Sequence, residues 1–376
     1  MLIDTDFFLS NRSDSLVLDV RSPEEYRRGH IPGAESFPLF SDAERAEVGT
    51  LYVRHSRQAA VERGLEFVGP RMAEMVREAR SLAAGRDIIL YCWRGGMRSE
   101  SVAWLLSVAG LRIRRLRGGY KAYRRHFPDI LKLYPWRFIV LGGYTGSGKT
   151  PILNELSQMG EQVIDLEGLA NHKGSAFGAL GQEQQPTTEH FMNLLHDAVS
   201  ACDPGRPIWV ESESKTIGRV FLPDDFYKVM HQAPLIELSV PRPVRIAHIA
   251  KEYGVYDAEA LANSFEHIAR RMGGAATTQA IKALKKGRLE EAVSLALDYY
   301  DKAYAHSLAE FRESSSDRLA VETDTPHETA IKLLELSHLK GLQSRKWWIL
   351  GGNSAPSPLF YSRKPSTAPP SEKKSP

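Results

Sequence analysis

Short apolar runs alternate with longer amphipathic stretches along most of the chain. In the first third, the runs SLVLDV (15–20) and DIILYC (87–92) have the unbroken, β-branched character of strands buried within a sheet. The stretches 69–85 and 98–110 have helical spacing, and each ends at a glycine. This alternation of strands and helices predicts a parallel α/β sheet.

The same pattern begins again after residue 136, and helical stretches again separate the strands. The strand-like runs of this second part are 137–143, 161–166, 207–212, 235–240 and 318–323. We therefore predict a parallel-sheet domain over 1–130 and a second α/β domain with additional helices over 131–340. Residues 341–376 are rich in proline, serine and lysine, which predicts a disordered tail.

The composition is that of an ordinary globular protein of 376 residues, with 42% hydrophobic and 25% charged residues. Its two cysteines, Cys92 and Cys202, argue against a disulfide framework and favour a reducing compartment. The first residues lack the features of a signal peptide, and no apolar run is long enough to span a bilayer. We therefore expect a cytoplasmic protein without a membrane-bound part. It contains no heptad run, so we expect a monomer.

The segment YCWRGGMRSE (91–100) places a cysteine between a predicted strand and a predicted helix. A cysteine attacks as its thiolate, and backbone N–H groups, a helix N-terminus and nearby arginines all stabilise an anion. Gly95 and Gly96 allow the loop to curl around the sulfur, and the two arginines supply bidentate contacts to an oxyanion. The catalytic residues predicted from this loop are Cys92, Arg94 and Arg98.

The segment GYTGSGKT (143–150) matches the pattern G-x-x-x-x-G-K-[ST] and lies between an apolar strand and a helical run. In such a loop, backbone N–H groups cradle phosphate oxygens, the lysine bridges terminal phosphates and the hydroxyl holds Mg²⁺. The sequence therefore predicts Mg²⁺ at Thr150. It also predicts a phosphate or diphosphate site made by Gly143, Gly146, Ser147, Gly148, Lys149 and Thr150.

Acidic residues follow two strands of the second part. Asp165 and Glu167 end the run that begins at 161, and Glu211 and Glu213 lie in IWVESES (208–214). We predict these four carboxylates as acidic or substrate-binding residues, with helix caps or surface groups as the alternative. A P-loop domain that hydrolyses ATP usually has an aspartate at the end of a neighbouring strand. This chain has Glu211 and Glu213 there instead, so the sequence does not favour ATP hydrolysis. No His/Cys group has metal-ligand spacing, and we expect no zinc or iron site.

The segment that joins the two predicted domains is strongly basic. From Leu111 to Arg137 it has nine lysines or arginines against one acid, and Tyr120, Tyr123, Tyr134 and Trp136 lie among them. This pattern predicts a surface for a nucleic-acid backbone, with stacking on the tyrosines, and a solvated connector is the alternative. The candidate contact residues are Arg117, Lys121, Arg124 and Arg125.

Three motifs in order resemble rhodanese-like sulfurtransferase domains. They are LDVRSPEEYRRGHIPGAESFPL (18–39), the cysteine loop, and LRGGYKAY (116–123). The resemblance implies that Cys92 carries a chalcogen. However, the Cys92-x5-Arg98 spacing is longer than in many rhodaneses and matches the loop of cysteine phosphatases. The longer loop suits a phosphate-like donor, and a phosphatase remains an alternative.

A rhodanese-like domain followed by a P-loop NTPase-like domain is an uncommon combination. Together with CWRGGMRS, GGYTGSGKT, LEGLANHKGSAFG (166–178) and ESESKTIG (211–218), it resembles the bacterial tRNA 2-selenouridine synthase family over about residues 10–340. The resemblance therefore implies a rhodanese-like parallel-sheet domain followed by a P-loop α/β domain with additional helices.

The resemblance also implies an activity, which is the conversion of 2-thiouridine to 2-selenouridine at the wobble position of tRNAs for lysine, glutamate and glutamine. The reaction passes through S-geranyl-2-thiouridine. The resemblance implies geranyl diphosphate and selenophosphate as co-substrates and no bound organic cofactor. Cys92 would hold selenium as a selenyl-sulfide, and an enzyme that supplies selenophosphate is a candidate partner. The alternatives are a sulfurtransferase or cysteine phosphatase fused to a small-molecule kinase, and a P-loop that binds a regulatory nucleotide.

Overall fold

The computed structural model describes residues 1–310, 316–321 and 325–342. The predicted tail over 341–376 therefore lies almost entirely outside the described residues. Two five-stranded parallel sheets, one in each half of the chain, form the framework. The prediction of an α/β fold with parallel sheets is confirmed. In the described part of the chain, no helix combines the length and apolarity needed to cross a bilayer.

The first sheet has the strand order β1-β5-β4-β2-β3, with every neighbouring pair parallel. Its strands are β1 (Leu2–Ile3), β2 (Ser15–Asp19), β3 (Glu35–Ser36), β4 (Asp87–Tyr91) and β5 (Ile113–Leu116). Two turns of 3₁₀ helix, Arg12–Asp14 and Gly69–Arg71, lie among its α-helices. These α-helices are α1 (Thr5–Asn11), α2 (Pro23–Arg28), α3 (Asp42–Arg54), α4 (Arg57–Val68), α5 (Met72–Ala83), α6 (Met97–Val108) and α7 (Gly119–Leu133).

Both faces of this sheet are covered, which explains the unbroken apolar runs of its central strands. Leu16 and Leu18 of β2 pack into one apolar cluster, whereas Val17 between them packs into the cluster on the opposite face. Successive side chains of a strand point to opposite faces, so a sheet covered on both sides needs apolar residues at every position. A capping box of Ser22 and Glu25 begins α2.

The second sheet has the order β12-β11-β6-β8-β7. The strands of this half are β6 (Arg137–Gly143), β7 (Gln162–Ile164), β8 (Pro207–Glu211), the hairpin strands β9 (Thr216–Ile217) and β10 (Val220–Phe221), β11 (Leu235–Ser239) and β12 (Ser316–Ala320). Its helices are α8 (Lys149–Gln158), α9 (Leu166–Ala170), α10 (Thr188–Ser200), α11 (Asp224–Gln232), α12 (Arg242–Tyr253), α13 (Ala258–Met272), α14 (Gly274–Lys285), α15 (Leu289–Glu310) and α16 (Pro326–Leu339).

Helices α13, α14 and α15 form a helical layer with an apolar cluster of its own. Phe265 of α13, Ala280 of α14 and Ala292 of α15 are buried in this cluster. Phe177, from the loop after α9, packs edge-to-face on Phe265 with ring centroids 4.9 Å apart. The helical layer therefore packs against the loop that follows the predicted acidic segment, and these are the additional helices that the sequence predicts.

Helix α10 belongs to the second half of the chain but packs on the first. Its Asn193 donates hydrogen bonds to the hydroxyl of Tyr120 (2.6 Å) and to the carbonyl of His30 (2.9 Å). The Tyr123 hydroxyl donates to the Asn193 carbonyl at 3.3 Å. Tyr120 and Tyr123 are completely buried. Stacking of RNA bases on these two tyrosines, as the sequence suggested, is therefore wrong.

Candidate active site

The cysteine loop follows β4 and is held by the segment that begins α7. The N–H of Tyr120 donates to the carbonyl of Cys92, and the N–H of Lys121 donates to that of Trp93, both at 2.9 Å. Gly119 has φ +61°, and a Cβ there would lie 2.2 Å from the Cys92 carbonyl oxygen. Only glycine permits this approach without strain. The motif at 116–123 thus forms one wall of the cysteine loop.

The sulfur of Cys92 lies beneath the loop, and the residue is only 3% exposed. Its Sγ is 3.3 Å from the hydroxyl of Ser99, which donates a 3.1 Å hydrogen bond to the Gly96 carbonyl. Ser99 was not among the predicted site residues, although its place at the start of α6 is visible in the sequence. Cys202 has no such surroundings, and burial raises its pKa to about 12.

The two arginines of the loop have different surroundings. Arg98 forms a two-pronged ion pair with Glu25 of α2, in which Nη2 lies 3.2 Å from Oε1. Burial opposes ionisation of Glu25, but the hydrogen bond and charge of Arg98 outweigh it and lower the pKa of this carboxyl. Arg94 is exposed to solvent at the tip of the loop. Arg98 is thus fixed by a partner the sequence did not indicate, and Arg94 remains accessible to an anion.

The phosphate loop joins β6 to α8 as its pattern predicts. Gly146 and Gly148 both have positive φ, and a Cβ on Gly146 would lie 2.8 Å from the Arg245 carbonyl oxygen. Helix α12 therefore packs directly against the loop. Lys149 Nζ donates to the Gly143 carbonyl at 3.2 Å, and buried Ser147 donates to the Tyr144 carbonyl at 2.6 Å.

Two of the predicted carboxylates meet beside this loop. The hydroxyl of Thr150 donates to Oε2 of Glu167 at 3.1 Å, and the Glu167 side chain is hydrogen-bonded to that of Glu213. Burial, and then the neighbouring charge of Glu167, raise the pKa of Glu213. Burial also raises the pKa of Glu167. Two neighbouring buried carboxylates repel each other when both are ionised, so we expect the pair to share a proton.

The other two acidic residues have supporting contacts. Oε1 of Glu211 accepts the backbone N–H of Glu167 at 2.7 Å, and the residue is 2% exposed. Burial raises the pKa of Glu211 well above its ordinary value. Asp165 accepts the N–H of Gly168 at 2.8 Å and so caps α9. Asp165 still lines the cavity described next, whereas Glu211 lies beneath it.

A cavity of about 960 Å³ opens over the phosphate loop, and we call it the phosphate-loop cavity. Lys149, Thr150, Glu167 and Glu213 line it, and Tyr304 of α15 closes one side. The Tyr304 hydroxyl accepts the N–H of Gly143 at 2.6 Å. In the part of the chain that the structure describes, its lining residues all fall between 143 and 326, so Cys92 lies outside it.

The residues around Thr150 offer oxygen ligands of the kind that Mg²⁺ prefers. The hydroxyl of Thr150 and the carboxylates of Glu167 and Glu213 face the same cavity. Within residues 1–310, 316–321 and 325–342, no group of three or more His, Cys, Asp or Glu side chains has a metal-binding arrangement. A Mg²⁺ ion here would therefore take its remaining ligands from phosphate oxygens and water.

The four basic candidates lie near the start of α7 but differ in exposure. Arg117, Lys121 and Arg125 are exposed. Arg124 is 30% exposed and forms an ion pair with Glu189 of α10, with Nη1 and Oε2 2.9 Å apart. The structure thus leaves three of the four basic side chains in solvent and uses Arg124 at the contact between the two halves of the chain.

Comparison with known proteins matches both halves. The model of the tRNA 2-selenouridine synthase AAA domain matches residues 136–323, and that of the rhodanese-like domain matches residues 8–126. A protein named tRNA 2-selenouridine synthase from Shewanella loihica is 33% identical over 343 residues, covering 82% of this chain and 90% of its own. That of Pseudomonas fluorescens is 36% identical, covering 72% of this chain and 77% of its own.

A third protein of that name, from Bordetella bronchiseptica, is 33% identical and covers 86% of this chain and 96% of its own. The similarity therefore extends across both sheets and both glycine-rich loops, as the order of motifs predicts. On this similarity, the chain belongs to the tRNA 2-selenouridine synthase family.

Proposed function

We propose that this protein modifies tRNA, converting 2-thiouridine at the wobble position to 2-selenouridine. The family membership supports tRNA as the substrate. The proposal includes an S-geranyl intermediate, with geranyl diphosphate and selenophosphate as co-substrates, and tRNAs for lysine, glutamate and glutamine as acceptors. A wobble base lies in a single-stranded loop and can be turned outwards into an enzyme site.

One observation carries the first step: Lys149, Thr150 and the Glu167–Glu213 pair face a single cavity. In this step the sulfur of 2-thiouridine attacks the allylic carbon of geranyl diphosphate. A C–S bond forms, the C–O bond breaks, diphosphate leaves and the uridine loses its N3 proton. Lys149 and the loop N–H groups neutralise charge on the departing diphosphate. Mg²⁺, held by Thr150 and the carboxylates, would add positive charge to the same oxygens.

The second step replaces the geranylated sulfur by selenium. Alkylation converts the sulfur at C2 into a neutral thiol leaving group. Hydrogen selenide attacks C2, a C–Se bond forms and the C2–S bond breaks with its electrons on sulfur. The selenide proton moves to N3, and the departing geranyl thiolate takes a proton from water. We assign this step to the cysteine loop. The fixed charge of Arg98, the exposed Arg94 and the cysteine–arginine spacing support the binding of a tetrahedral oxyanion there.

The role that we propose for Cys92 follows from the oxidation state of selenium in selenophosphate. Selenium in selenophosphate is already at the selenide level, so joining it to the Cys92 thiol as a selenyl-sulfide would need a two-electron oxidant. Attack of the thiolate on phosphorus needs none. An S–P bond forms, the P–Se bond breaks and selenide is released beside the loop. Water then cleaves the phosphocysteine to phosphate and restores the thiol.

Mass spectrometry of nucleosides tests the whole proposal. An RNA that contains 2-thiouridine is incubated with the protein, Mg²⁺ and geranyl diphosphate, with and without selenophosphate. We expect an S-geranyl adduct without selenophosphate and selenouridine with it. Cys92→Ala should still form the adduct but stop there. Unchanged 2-thiouridine under all conditions would reject the proposal in favour of a small-molecule kinase or phosphatase.

A further inference from the structure

The phosphate-loop cavity continues into an apolar crevice between α13 and α15. Five residues line both spaces, among them Ile249, Tyr253 and Tyr300. Beyond them the walls are almost entirely hydrocarbon. They consist of Phe177, Leu261, Phe265, Leu289, Val293, Ala296 and Leu297. The volume of this crevice is about 30 Å³.

Both tyrosine hydroxyls at the mouth of the crevice already have hydrogen-bond partners, and that of Tyr253 is bonded to the side chain of Ser175. The Tyr300 hydroxyl accepts the backbone N–H of Ala176 at 2.9 Å. The ring of Tyr253 packs on Phe177, with centroids 5.7 Å apart. A nucleoside base or ribose entering here would lose its hydrogen bonds to water and find few replacements. A hydrocarbon chain loses nothing and gains contact with the walls.

From this continuity we infer that the crevice binds the distal end of the prenyl chain of an allylic diphosphate whose diphosphate lies on the phosphate loop. This inference rests on the proposed function and locates the chain in it. The phosphate-loop cavity is polar and the crevice is apolar, so a ligand that occupies both must have one polar end and one apolar end.

The small volume gives the crevice a second role. The described walls leave room for the end of a chain, while the first isoprene unit remains in the wider cavity near the loop. The packed rings of Phe177 and Phe265 form a rigid part of its wall. A chain that overfills the crevice meets these rings, so we expect the crevice to limit the chain length. Leu297, Ala296 and Val293 of α15 become specificity-determining residues.

Two variants change the crevice in opposite directions. Ala296→Leu fills it, and Leu297→Ala enlarges it. Leu284→Ala is the matched control, because Leu284 is buried in the same helical layer but does not line the crevice. Thermal unfolding establishes that each variant is folded. Calorimetry then compares binding of inorganic pyrophosphate with that of dimethylallyl, geranyl and farnesyl diphosphates to the full chain.

We expect the wild-type protein to bind geranyl diphosphate at least tenfold more tightly than pyrophosphate. Ala296→Leu should remove most of this advantage and leave pyrophosphate affinity unchanged. Leu297→Ala should shift the preference towards farnesyl diphosphate, and Leu284→Ala should behave as wild type. Geranylation with chain-length preference unaltered in both variants would overturn the crevice assignment alone. A wild-type protein that gains nothing from the geranyl chain and does not geranylate RNA would overturn the proposed function as well.

Discussion

Asn193 and Tyr120 form a buried hydrogen bond of 2.6 Å between the two halves of the chain. The Tyr120 hydroxyl also donates to Glu189 at 3.0 Å. One phenol of the first domain is therefore bonded to two side chains of helix α10, Asn193 and Glu189. Tyr120 lies in the motif at 116–123, but Asn193 and Glu189 lie in none, so the sequence did not predict this contact between the two halves.

Tyr120→Phe tests this contact. The change removes one acceptor and one donor while it keeps the ring, and the amide of buried Asn193 loses a partner. We expect the free energy of unfolding to fall by about 1–3 kcal/mol. Chemical denaturation measures it. Tyr134→Phe, at a half-buried tyrosine outside this contact, serves as the control, and an equal loss in both variants would contradict the assignment.

Lys149→Ala tests whether the phosphate loop acts in geranylation only and the cysteine loop in selenation only. In this variant the ammonium group of Lys149 no longer neutralises the negative charge that develops on the departing diphosphate. We expect the rate of geranylation to fall by a factor of about 10² or more. Conversion of a pre-geranylated RNA to selenouridine should remain unchanged. Lys132→Ala is the surface control. Equal loss of both steps in Lys149→Ala would refute separate sites.

Arg98 should matter to selenium transfer alone. Arg98→Ala removes the charge beside the cysteine loop and breaks the two-pronged ion pair with Glu25. We expect selenation to fall by about 10² or more while geranylation is retained. Arg98→Lys restores charge but not the two-pronged geometry and should recover part of the rate. Exposed Arg77→Ala is the control. A selenation rate unaffected by Arg98→Ala would exclude this arginine from the step.

The proton shared by Glu167 and Glu213 predicts a pH dependence of stability. Burial, followed by the charge of Glu167, raises the pKa of Glu213 from its ordinary 4.5 to about 8. Between these values the folded protein holds a proton that the unfolded chain releases. The free energy of unfolding therefore decreases as pH rises through this window.

Denaturant titrations without added Mg²⁺ at several pH values measure this dependence. Glu213→Gln removes the titrating group and should flatten the decrease. Glu183→Gln, at an exposed carboxylate, should leave the slope as in the wild type. A stability that is constant over this window in the wild-type protein would show that the two carboxylates do not share a proton.

Arg125 and Lys121 should contribute to tRNA binding through phosphate contacts. Each neutralised phosphate releases condensed counterions, so Arg125→Ala and Lys121→Ala should each reduce the slope of log K against log salt by about 1. Arg124→Ala should instead reduce stability, because it breaks the ion pair with Glu189. Binding that is insensitive to salt in the wild type would eliminate this surface.

The sheets and the two glycine-rich loops could be predicted because their signals are local. After their first residues, Asp87 and Arg137, β4 and β6 are buried and carry no charged side chain, and the phosphate loop follows a fixed spacing. The two-residue strands β1 and β3 are too short to leave a pattern. Long-range pairings, such as Arg98 with Glu25, depend on how helices pack and have no local signal.

The error over Tyr120 and Tyr123 has the same origin. Aromatic residues among basic ones resemble a nucleic-acid surface, but α7 is amphipathic. Its tyrosines face the core, while Lys121 and Arg125 face solvent. The burial of Glu211 beneath the cavity could not be predicted either. The sequence at the end of a strand does not show whether a carboxylate there binds a ligand or accepts a backbone N–H.

The close approach of Gly119 to the Cys92 carbonyl has a consequence for the newly made chain. Residues 116–121 leave the ribosome after the cysteine loop, so the loop lacks its wall while the intervening helix and strand are being translated. During that interval the thiol is open to oxidants and alkylating agents. Once the wall closes, the residue is 3% exposed, so bulky reagents are excluded while a small oxyanion bound by the loop can still meet the sulfur.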